Sequence, residues 1–156
     1  MQQADETPLA VHAWRQLYLT YSVIFKAIER SIAATDVTLP QALALSTIRN
    51  GEPPMTPSRL AHYLMQETQS VTGLIDRMER HGWVRRVRDL RDRRAIRLEL
   101  TDRGAAKLEE TVGPGSETTI KMFDALKPDE VRLLIDLLAR VYGGATDHIG
   151  PEPDAV

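Results

Sequence analysis

Apolar residues recur at every third or fourth position along most of this chain, which is the spacing that gives an α-helix one apolar face. The first such stretch runs from Leu9 to about Ala34 and is rich in bulky side chains. So broad an apolar surface exceeds what the first helix of a small domain buries, which indicates a partner subunit. Similar patterns follow along the chain, and together they predict a mostly α-helical protein.

Local signals place the ends of the next helices. The second helix has Pro40 in its first turn and ends at Asn50-Gly51. Thr56 followed by Pro57 predicts the start of a short third helix, because threonine caps a helix and proline fits its first turn. A fourth helix is predicted from about Thr68 to His81, with Gly82 just beyond its end.

Two glycine-rich sites are expected to divide the C-terminal third of the chain. A fifth helix from Arg103 to about Val112 is expected to kink or break at Gly113-Pro114-Gly115, before a helical pattern resumes at 116–126. The last helix is predicted from Pro128 to about Tyr142, where Gly143-Gly144 would stop it. The polar residues beyond these glycines are predicted to be disordered.

Between the fourth and fifth helices the apolar period changes to two, which is typical of a half-buried strand. Trp83 to Arg88 predicts one strand, and Ile96 to Leu100 predicts its hairpin partner. The segment from Arg85 to Arg97 holds seven arginines and two acids, so it carries +5 within a chain of net charge −2. Two acids cannot neutralise seven arginines, and a local basic patch of this kind indicates a nucleic-acid partner.

The two short helices before this hairpin have the form of a helix-turn-helix. The fourth helix has Val71, Leu74, Ile75 and Met78 on its predicted inner face. Its other face carries small polar residues that can bond to base edges in a major groove, and Gly73 would let the backbone approach closely. A basic wing after such a helix can place an arginine in the adjacent minor groove.

This order of elements, with the stretches LAHYLMQETQSVTGLIDRMERHGWVRRV, DLRDRRAIRLELTDRG and LKPDEVRLLIDLLARV, resembles the MarR family of transcriptional regulators over roughly residues 9–142. The resemblance implies a mostly α, winged helix-turn-helix fold with an α+β wing and long N- and C-terminal dimerisation helices. It implies dimerisation helices at 9–36 and 103–143, a DNA-binding lobe at 37–102, and tails at 1–8 and 144–156. A homodimer would bind a near-palindromic operator and repress, with release by a small aromatic or phenolic effector.

The resemblance also implies roles for particular residues. Thr68, Gln69, Ser70, Thr72 and Arg77 become base or phosphate contacts, and Arg93 or Arg94 becomes the minor-groove arginine. Thr56, Ser58 and Arg59 become phosphate contacts, whereas Asp92 would hold the wing in shape. The full set of candidate DNA contacts is Ser58, Arg59, Thr68, Gln69, Ser70, Thr72, Gly73, Arg77, Arg88, Arg91, Arg93 and Arg94.

Several alternatives remain open at this point. Trp14, Tyr18 and Tyr21 share a helix face and form either a wall of an effector pocket or part of the core or dimer packing. The hairpin could be a solvated, salt-bridged surface, and the charges of Asp76 and Glu79 are expected to pair with Arg77 and Arg80. A winged-helix module that binds an acidic protein, without specific DNA binding, is the alternative function.

Other function classes find little support in the sequence. There is no glycine-rich phosphate loop, nucleophile elbow or recognisable catalytic set, so neither enzymatic activity nor a cofactor is expected. The chain has no cysteine, and its four histidines lack metal-ligand spacing, so no metal site is expected. It shows no signal peptide and no apolar run of about 20 residues, so a cytoplasmic location without membrane contact is expected.

Overall fold

The computed structural model describes residues 8–88 and 96–149. Its helices are α1 (Leu9–Ile32), α2 (Leu39–Asn50), α3 (Pro57–Leu64), α4 (Thr68–Arg80), α5 (Asp102–Phe123) and α6 (Pro128–Ile149). A short 3-10 turn, Ala33–Thr35, follows α1, and the strands β1 (Val84–Arg88) and β2 (Ile96–Leu100) lie between α4 and α5. The predicted class, mostly helical with a small β wing, is confirmed.

The buried core of the described chain lies in the lobe formed by α2, α3, α4 and the hairpin. Val71, Leu74, Ile75 and Met78 of α4 are all buried in it, as their spacing predicted. Leu108 of α5 closes the core from the other side. This lobe therefore has its own apolar interior, which holds α3 and α4 in a fixed relation to each other.

Capping residues begin three of these helices where the sequence predicted or allowed a start. Thr38 and Gln41 form a capping box at α2. The Thr56 hydroxyl accepts a hydrogen bond from the Arg59 backbone N–H at 3.2 Å and starts α3. Thr101 does the same for the Gly104 N–H at 3.0 Å and starts α5. Each cap satisfies a backbone donor that the helix itself leaves without a partner.

The hairpin is antiparallel, with Val84 opposite Leu100 and Arg88 opposite Ile96. The first strand begins at Val84 rather than at the predicted Trp83, whose ring stacks on His81 with centroids 4.5 Å apart. The Leu98 N–H donates to the Met55 carbonyl at 2.7 Å, which ties β2 to the segment between α2 and α3.

The base of the hairpin is joined to α5 at a crowded junction around Trp83. The Trp83 carbonyl accepts hydrogen bonds from the Thr101 N–H at 3.1 Å and from its hydroxyl at 3.2 Å. A Cβ atom on Gly104 would lie 1.9 Å from that same oxygen. Gly82, with φ of 70°, makes the turn between α4 and Trp83, a conformation that suits glycine.

Two expectations about the C-terminal helices were wrong. The expected break of the helix at Gly113-Pro114-Gly115 is absent, because α5 is one helix from Asp102 to Phe123 with Pro114 inside it, whereas a kink there stays a prediction. Proline removes one helical hydrogen bond, but packing of α5 along α1 supports the helix on both sides of the gap. Gly115 lies at this contact, and a Cβ there would be at an ordinary van der Waals distance of 3.6 Å from Ile32.

The last helix also continues past its predicted end. Gly143 and Gly144 lie within α6, which reaches Ile149, so the predicted tail at 144–149 is helical. Glycine costs a helix about 1 kcal/mol relative to alanine, and it commonly ends a helix by adopting a left-handed conformation. Neither glycine has a positive φ here. The predicted tails at 1–7 and 150–156 lie outside the described residues.

We expect Gly104→Ala to destabilise the fold, because the new methyl group would meet backbone rather than a movable side chain. Overpacking of this kind costs about 1–3 kcal/mol. Gly144→Ala is the matched control, since a Cβ there meets nothing within 4 Å. The control should leave the free energy of unfolding unchanged or raise it by about 0.5–1 kcal/mol. Urea unfolding measures both; equal stabilities would contradict the importance of the junction.

Candidate nucleic-acid interface

The turn between α3 and α4 is held by backbone hydrogen bonds. Met65 ends α3 in a left-handed conformation, with φ of 50°, and its N–H donates to the His62 carbonyl at 3.0 Å. The Gln66 N–H donates to the Ala61 carbonyl at 3.0 Å. Because this turn is fixed and both helices contribute to one core, the outer face of α4 projects from a rigid support.

That outer face carries the side chains that the sequence predicted. Thr68, Gln69, Ser70 and Thr72 are exposed, as is Arg77 one turn further along. The Thr72 hydroxyl donates to the Thr68 carbonyl at 2.9 Å, so it offers a ligand only its lone pairs. The face thus combines hydrogen-bonding groups at its start with one positive charge near its end.

Gly73 is half-buried in the middle of α4. A Cβ atom at this position would lie 3.7 Å from a terminal nitrogen of Arg77, which is an ordinary contact. No contact within the described chain therefore requires glycine here. A close approach of the helix backbone to a bound molecule remains a reason for it, in line with the sequence-based hypothesis.

Two of the three candidate phosphate contacts at the start of α3 already form contacts within the protein. Thr56 is used as the helix cap. The Arg59 guanidinium donates to the Pro54 carbonyl at 3.0 Å and lies 3.6 Å from a Glu52 carboxylate oxygen. Ser58 is exposed. Of the three candidate phosphate contacts, Ser58 is thus the one whose side chain has no structural task shown in the fold.

On one face of the hairpin, two arginines share a single acid. Arg85 donates to Glu99 through Nε at 3.1 Å and Nη2 at 2.8 Å. Arg97 lies 2.9 Å from the other oxygen of the same carboxylate. Glu99 lies just outside the segment whose charges were counted, so the count overstated the free positive charge of the wing.

Arg86 pairs in the opposite direction, towards α4. Its guanidinium binds Asp76 at 2.7 Å and also Glu79, and its backbone N–H donates to Glu79 at 3.2 Å. Burial lowers the pKa of Arg86, but the hydrogen bonds and charges of Asp76 and Glu79 outweigh it and raise that pKa. The expected pairing of these two acids with Arg77 and Arg80 is replaced by pairing with Arg86.

The role of Arg86 was missed in the sequence, although a signal for it was present. Val84 and Arg86 share one face of β1, and Val84 is buried against the core. An arginine two positions after a buried strand residue points towards the same neighbour, which here is α4. Asp76 and Glu79 are three residues apart on that helix, the spacing at which side chains lie side by side.

The other arginines of the segment are Arg88 and three that follow it along the chain. Arg88 is exposed at the end of β1. Arg91, Asp92, Arg93 and Arg94, which include the candidate minor-groove arginines and the candidate wing-stabilising acid, lie outside the described residues.

A cavity of about 470 Å³ lies between α1, α2 and α5. Its lining is mostly aliphatic, with Ile28, Leu43 and Ile120 among its apolar members, and hydroxyl groups from serine and threonine are its polar members. Trp14, Tyr18 and Tyr21 do not line it; they lie earlier on α1 with 64%, 59% and 61% of their surfaces exposed. Trp14 and Tyr18 stack on each other, with ring centroids 6.2 Å apart.

Residues 8–88 and 96–149 contain neither a candidate metal site nor a candidate membrane-spanning helix. No cluster of three or more histidine, aspartate or glutamate side chains there could hold a metal ion. Within the same ranges, no helix combines the length and apolar character needed to cross a membrane.

Comparison with known proteins points to one family. A MarR family model matches residues 35–95. The chain is 28% identical over 121 residues to the transcriptional regulator PecS of Dickeya dadantii, covering 76% of this chain and 73% of PecS. It is 39% identical over 101 residues to the transcriptional activatory protein BadR of Rhodopseudomonas palustris, covering 62% of this chain and 56% of BadR.

Solved structures agree with these matches. A crystal structure of mutant MarR from E. coli complexed with operator DNA superposes with a TM-score of 0.79 and 26% identity, covering 88% of this chain and 99% of that one. The chain belongs to the MarR family of winged helix-turn-helix transcriptional regulators. It is a DNA-binding regulator, and its relatives are regulators rather than enzymes.

Proposed function

We propose that this chain is a ligand-responsive repressor that binds a near-palindromic operator as a homodimer. The observation that carries the proposal is the exposed polar face of α4 on a rigid helix-turn-helix, with a basic hairpin beside it. The related E. coli MarR structure contains operator DNA, which supports this use of the face. One α4 helix enters each of two major grooves, and each wing reaches the adjacent minor groove.

Different residues would perform different parts of this recognition. Thr68, Gln69, Ser70 and Thr72 read base edges, and Gly73 allows α4 to approach the duplex. Ser58, Arg59, Arg77 and Arg88 hold phosphates. Arg91 and either Arg93 or Arg94 occupy the minor groove, while Asp92 maintains the shape of the wing. Gln69 is the strongest base reader among them, because its amide both donates and accepts hydrogen bonds.

We expect Gln69→Ala and Arg77→Ala to weaken operator binding in different ways. Loss of a base contact should cost about 1–3 kcal/mol and relax the preference at one base pair of each half-site. Loss of one phosphate contact from each subunit should weaken binding to all duplexes alike and lower the salt slope of the dimer by about 1.8, or about 0.9 per subunit. Fluorescence anisotropy with an operator series across salt concentrations measures both effects. Negligible duplex affinity of the unmodified protein at low salt would instead favour the protein-binding alternative.

The dimer rests on apolar surface that the described chain leaves uncovered. Between Pro128 and His148, α6 has no fully buried residue, and Ile135, Leu138 and Val141 are exposed along the face that its spacing defines. The first half of α1 likewise exposes Trp14 and Tyr18. Both helices lie outside the core of the DNA-binding lobe. Apolar faces of this length are stabilised when a second copy of the same helices packs on them.

We expect Ile135→Lys to shift the protein towards monomer, because it places an unpaired charge within the proposed interface. Asp136→Lys adds the same side chain one position away, where the helix points in another direction, and serves as the control. The dimer dissociation constant should rise at least tenfold, or about 1.4 kcal/mol, for the first variant and little for the second. Sedimentation equilibrium measures it, and equal shifts for both variants would argue against this interface.

The cavity between α1, α2 and α5 is our proposed effector site. Its volume falls in the range of small-molecule sites, about 300–1,000 Å³. The hydroxyls of Thr111 and Thr119 already donate to helix carbonyls, so they offer an effector only acceptors. No lysine, arginine or histidine is among the lining residues of this described cavity. The site therefore fits an uncharged, largely apolar molecule with a hydrogen-bond donor better than a carboxylate.

We expect 2-naphthol to bind at least tenfold more tightly than 2-naphthoate, since a carboxylate in this cavity would lose water without gaining a cation. Isothermal titration calorimetry of the DNA-free protein compares the two compounds. Ser116→Phe, which adds bulk at the lining, should abolish naphthol binding by the DNA-free protein. Preference for naphthoate, or naphthol binding that Ser116→Phe leaves unchanged, would place the effector elsewhere.

A further inference from the structure

Neighbouring arginines on β1 form two kinds of ion pair. Arg85 binds Glu99 on the adjacent strand, so this pair lies within the hairpin. Arg86 binds Asp76 and Glu79, which belong to α4. Only the second arrangement connects the hairpin to the helix that is proposed to enter the major groove.

The Arg86 contact is geometrically well defined. Its two terminal nitrogens bind two different carboxylates, one turn apart on α4, and its own backbone N–H donates to the Glu79 carboxylate at 3.2 Å. About three-quarters of the Arg86 side chain is covered, its exposed fraction being 26%. A planar guanidinium held at two points has little rotational freedom, so the contact fixes a direction as well as a distance.

The hairpin needs such a contact. A two-stranded hairpin is marginally stable by itself, and this one is anchored to the lobe through Trp83 and Val84 at its base and through Leu98, which lies opposite Arg86 on β2. The four residue-to-residue steps from Val84 to Arg88 span about 13 Å at about 3.3 Å per step. A tilt of about 10° at the base would therefore move the far end of the strand by about 2 Å, enough to break a hydrogen bond to DNA.

We propose that Arg86 is a positioning residue that fixes the angle between the hairpin and α4, so that the major and minor grooves are contacted together. This inference rests on the proposed DNA-binding geometry. Arg86 itself does not touch DNA in this arrangement, because both ends of its guanidinium are used by the acids of α4.

The matched comparison is Arg86→Gln against Arg85→Gln. Each removes one positive charge from adjacent positions of β1, so any general electrostatic loss should be similar. We expect operator affinity to fall at least tenfold further for Arg86→Gln, while affinity for unrelated duplex falls equally for both. Hydroxyl-radical footprinting should show loss of minor-groove protection beside the half-sites in Arg86→Gln alone. Equal losses of operator affinity would overturn the proposal.

Alternatively, Arg86 acts only by reducing the negative charge of two carboxylates, Asp76 and Glu79, that would otherwise repel the DNA phosphates. The variant Asp76→Asn/Glu79→Gln/Arg86→Gln removes all of these charges at once. Recovery of operator affinity in it would overturn the positioning role in favour of charge masking, whereas continued loss supports positioning. The charge exchange Arg86→Glu/Glu79→Arg should restore much of the affinity and the footprint. Thermal unfolding of each variant shows that the lobe remains folded.

The angle can also be measured without DNA, which separates this inference from the proposed function. The chain has no cysteine, so spin labels at Gln66→Cys and Arg88→Cys would be specific. The labelled protein is diluted with unlabelled protein. Double electron–electron resonance then measures the distance between the two labels, one just before the start of α4 and one at the end of β1. The distribution should broaden in Arg86→Gln and stay narrow in Arg85→Gln. Equally narrow distributions would overturn the proposal even if operator binding is confirmed.

Discussion

The contact between the Trp83 carbonyl and the start of α5 determines how the DNA-binding lobe is assembled. This oxygen accepts two hydrogen bonds from Thr101, and Gly104 packs directly on it. Since Gly82 ends α4 just before Trp83, one junction joins α4, the hairpin and α5. The path of the chain from α4 into the hairpin and on into α5 is set at this point, and a side chain at position 104 would have to displace backbone.

Arginines of the hairpin strands form ion pairs within the protein, so their charge is not fully available to a ligand. Arg85, Arg86 and Arg97 each form an ion pair with an acid of the lobe. Exposed pairs of this kind contribute at most about 1 kcal/mol each to stability, so their value lies in direction rather than in strength. Arg85 joins the two strands and Arg86 joins β1 to α4, whereas Arg88 is exposed at the end of β1.

The sequence was informative wherever one local pattern decided the outcome. Apolar spacing identified the inner face of α4, and Thr56, Gly82 and Thr101 marked helix ends because their chemistry acts on neighbouring backbone. Predictions from the sequence were wrong where contacts with an element distant along the chain decided the structure. Pro114 stays helical because α1 packs along α5, and Arg86 pairs with acids that lie seven and ten residues away along the chain.

The face of α4 could be predicted from a local pattern, whereas the cavity could not. The exposed residues of α4 followed from periodicity, since the opposite face had to be buried. The cavity could not be predicted, because it is lined by α1, α2 and α5, whose approach depends on tertiary packing. Its position on α1 lies nearer the end of that helix than Trp14, Tyr18 and Tyr21, which are exposed and suit an interface between subunits.

The continuity of α5 links these regions mechanically. Gly104 lies at the junction beneath the hairpin, and Gly115, three turns further on, lines the cavity. A helix broken at Pro114 would absorb a displacement at the cavity in its hinge, but a continuous one transmits it to both ends. A ligand that binds one arrangement of α1, α2 and α5 better than another can therefore alter where the two recognition helices of a dimer lie, provided that its affinities for the two arrangements differ. Pro114, which was predicted from the sequence to interrupt this region, thus lies within the helix that connects the cavity to the base of the hairpin.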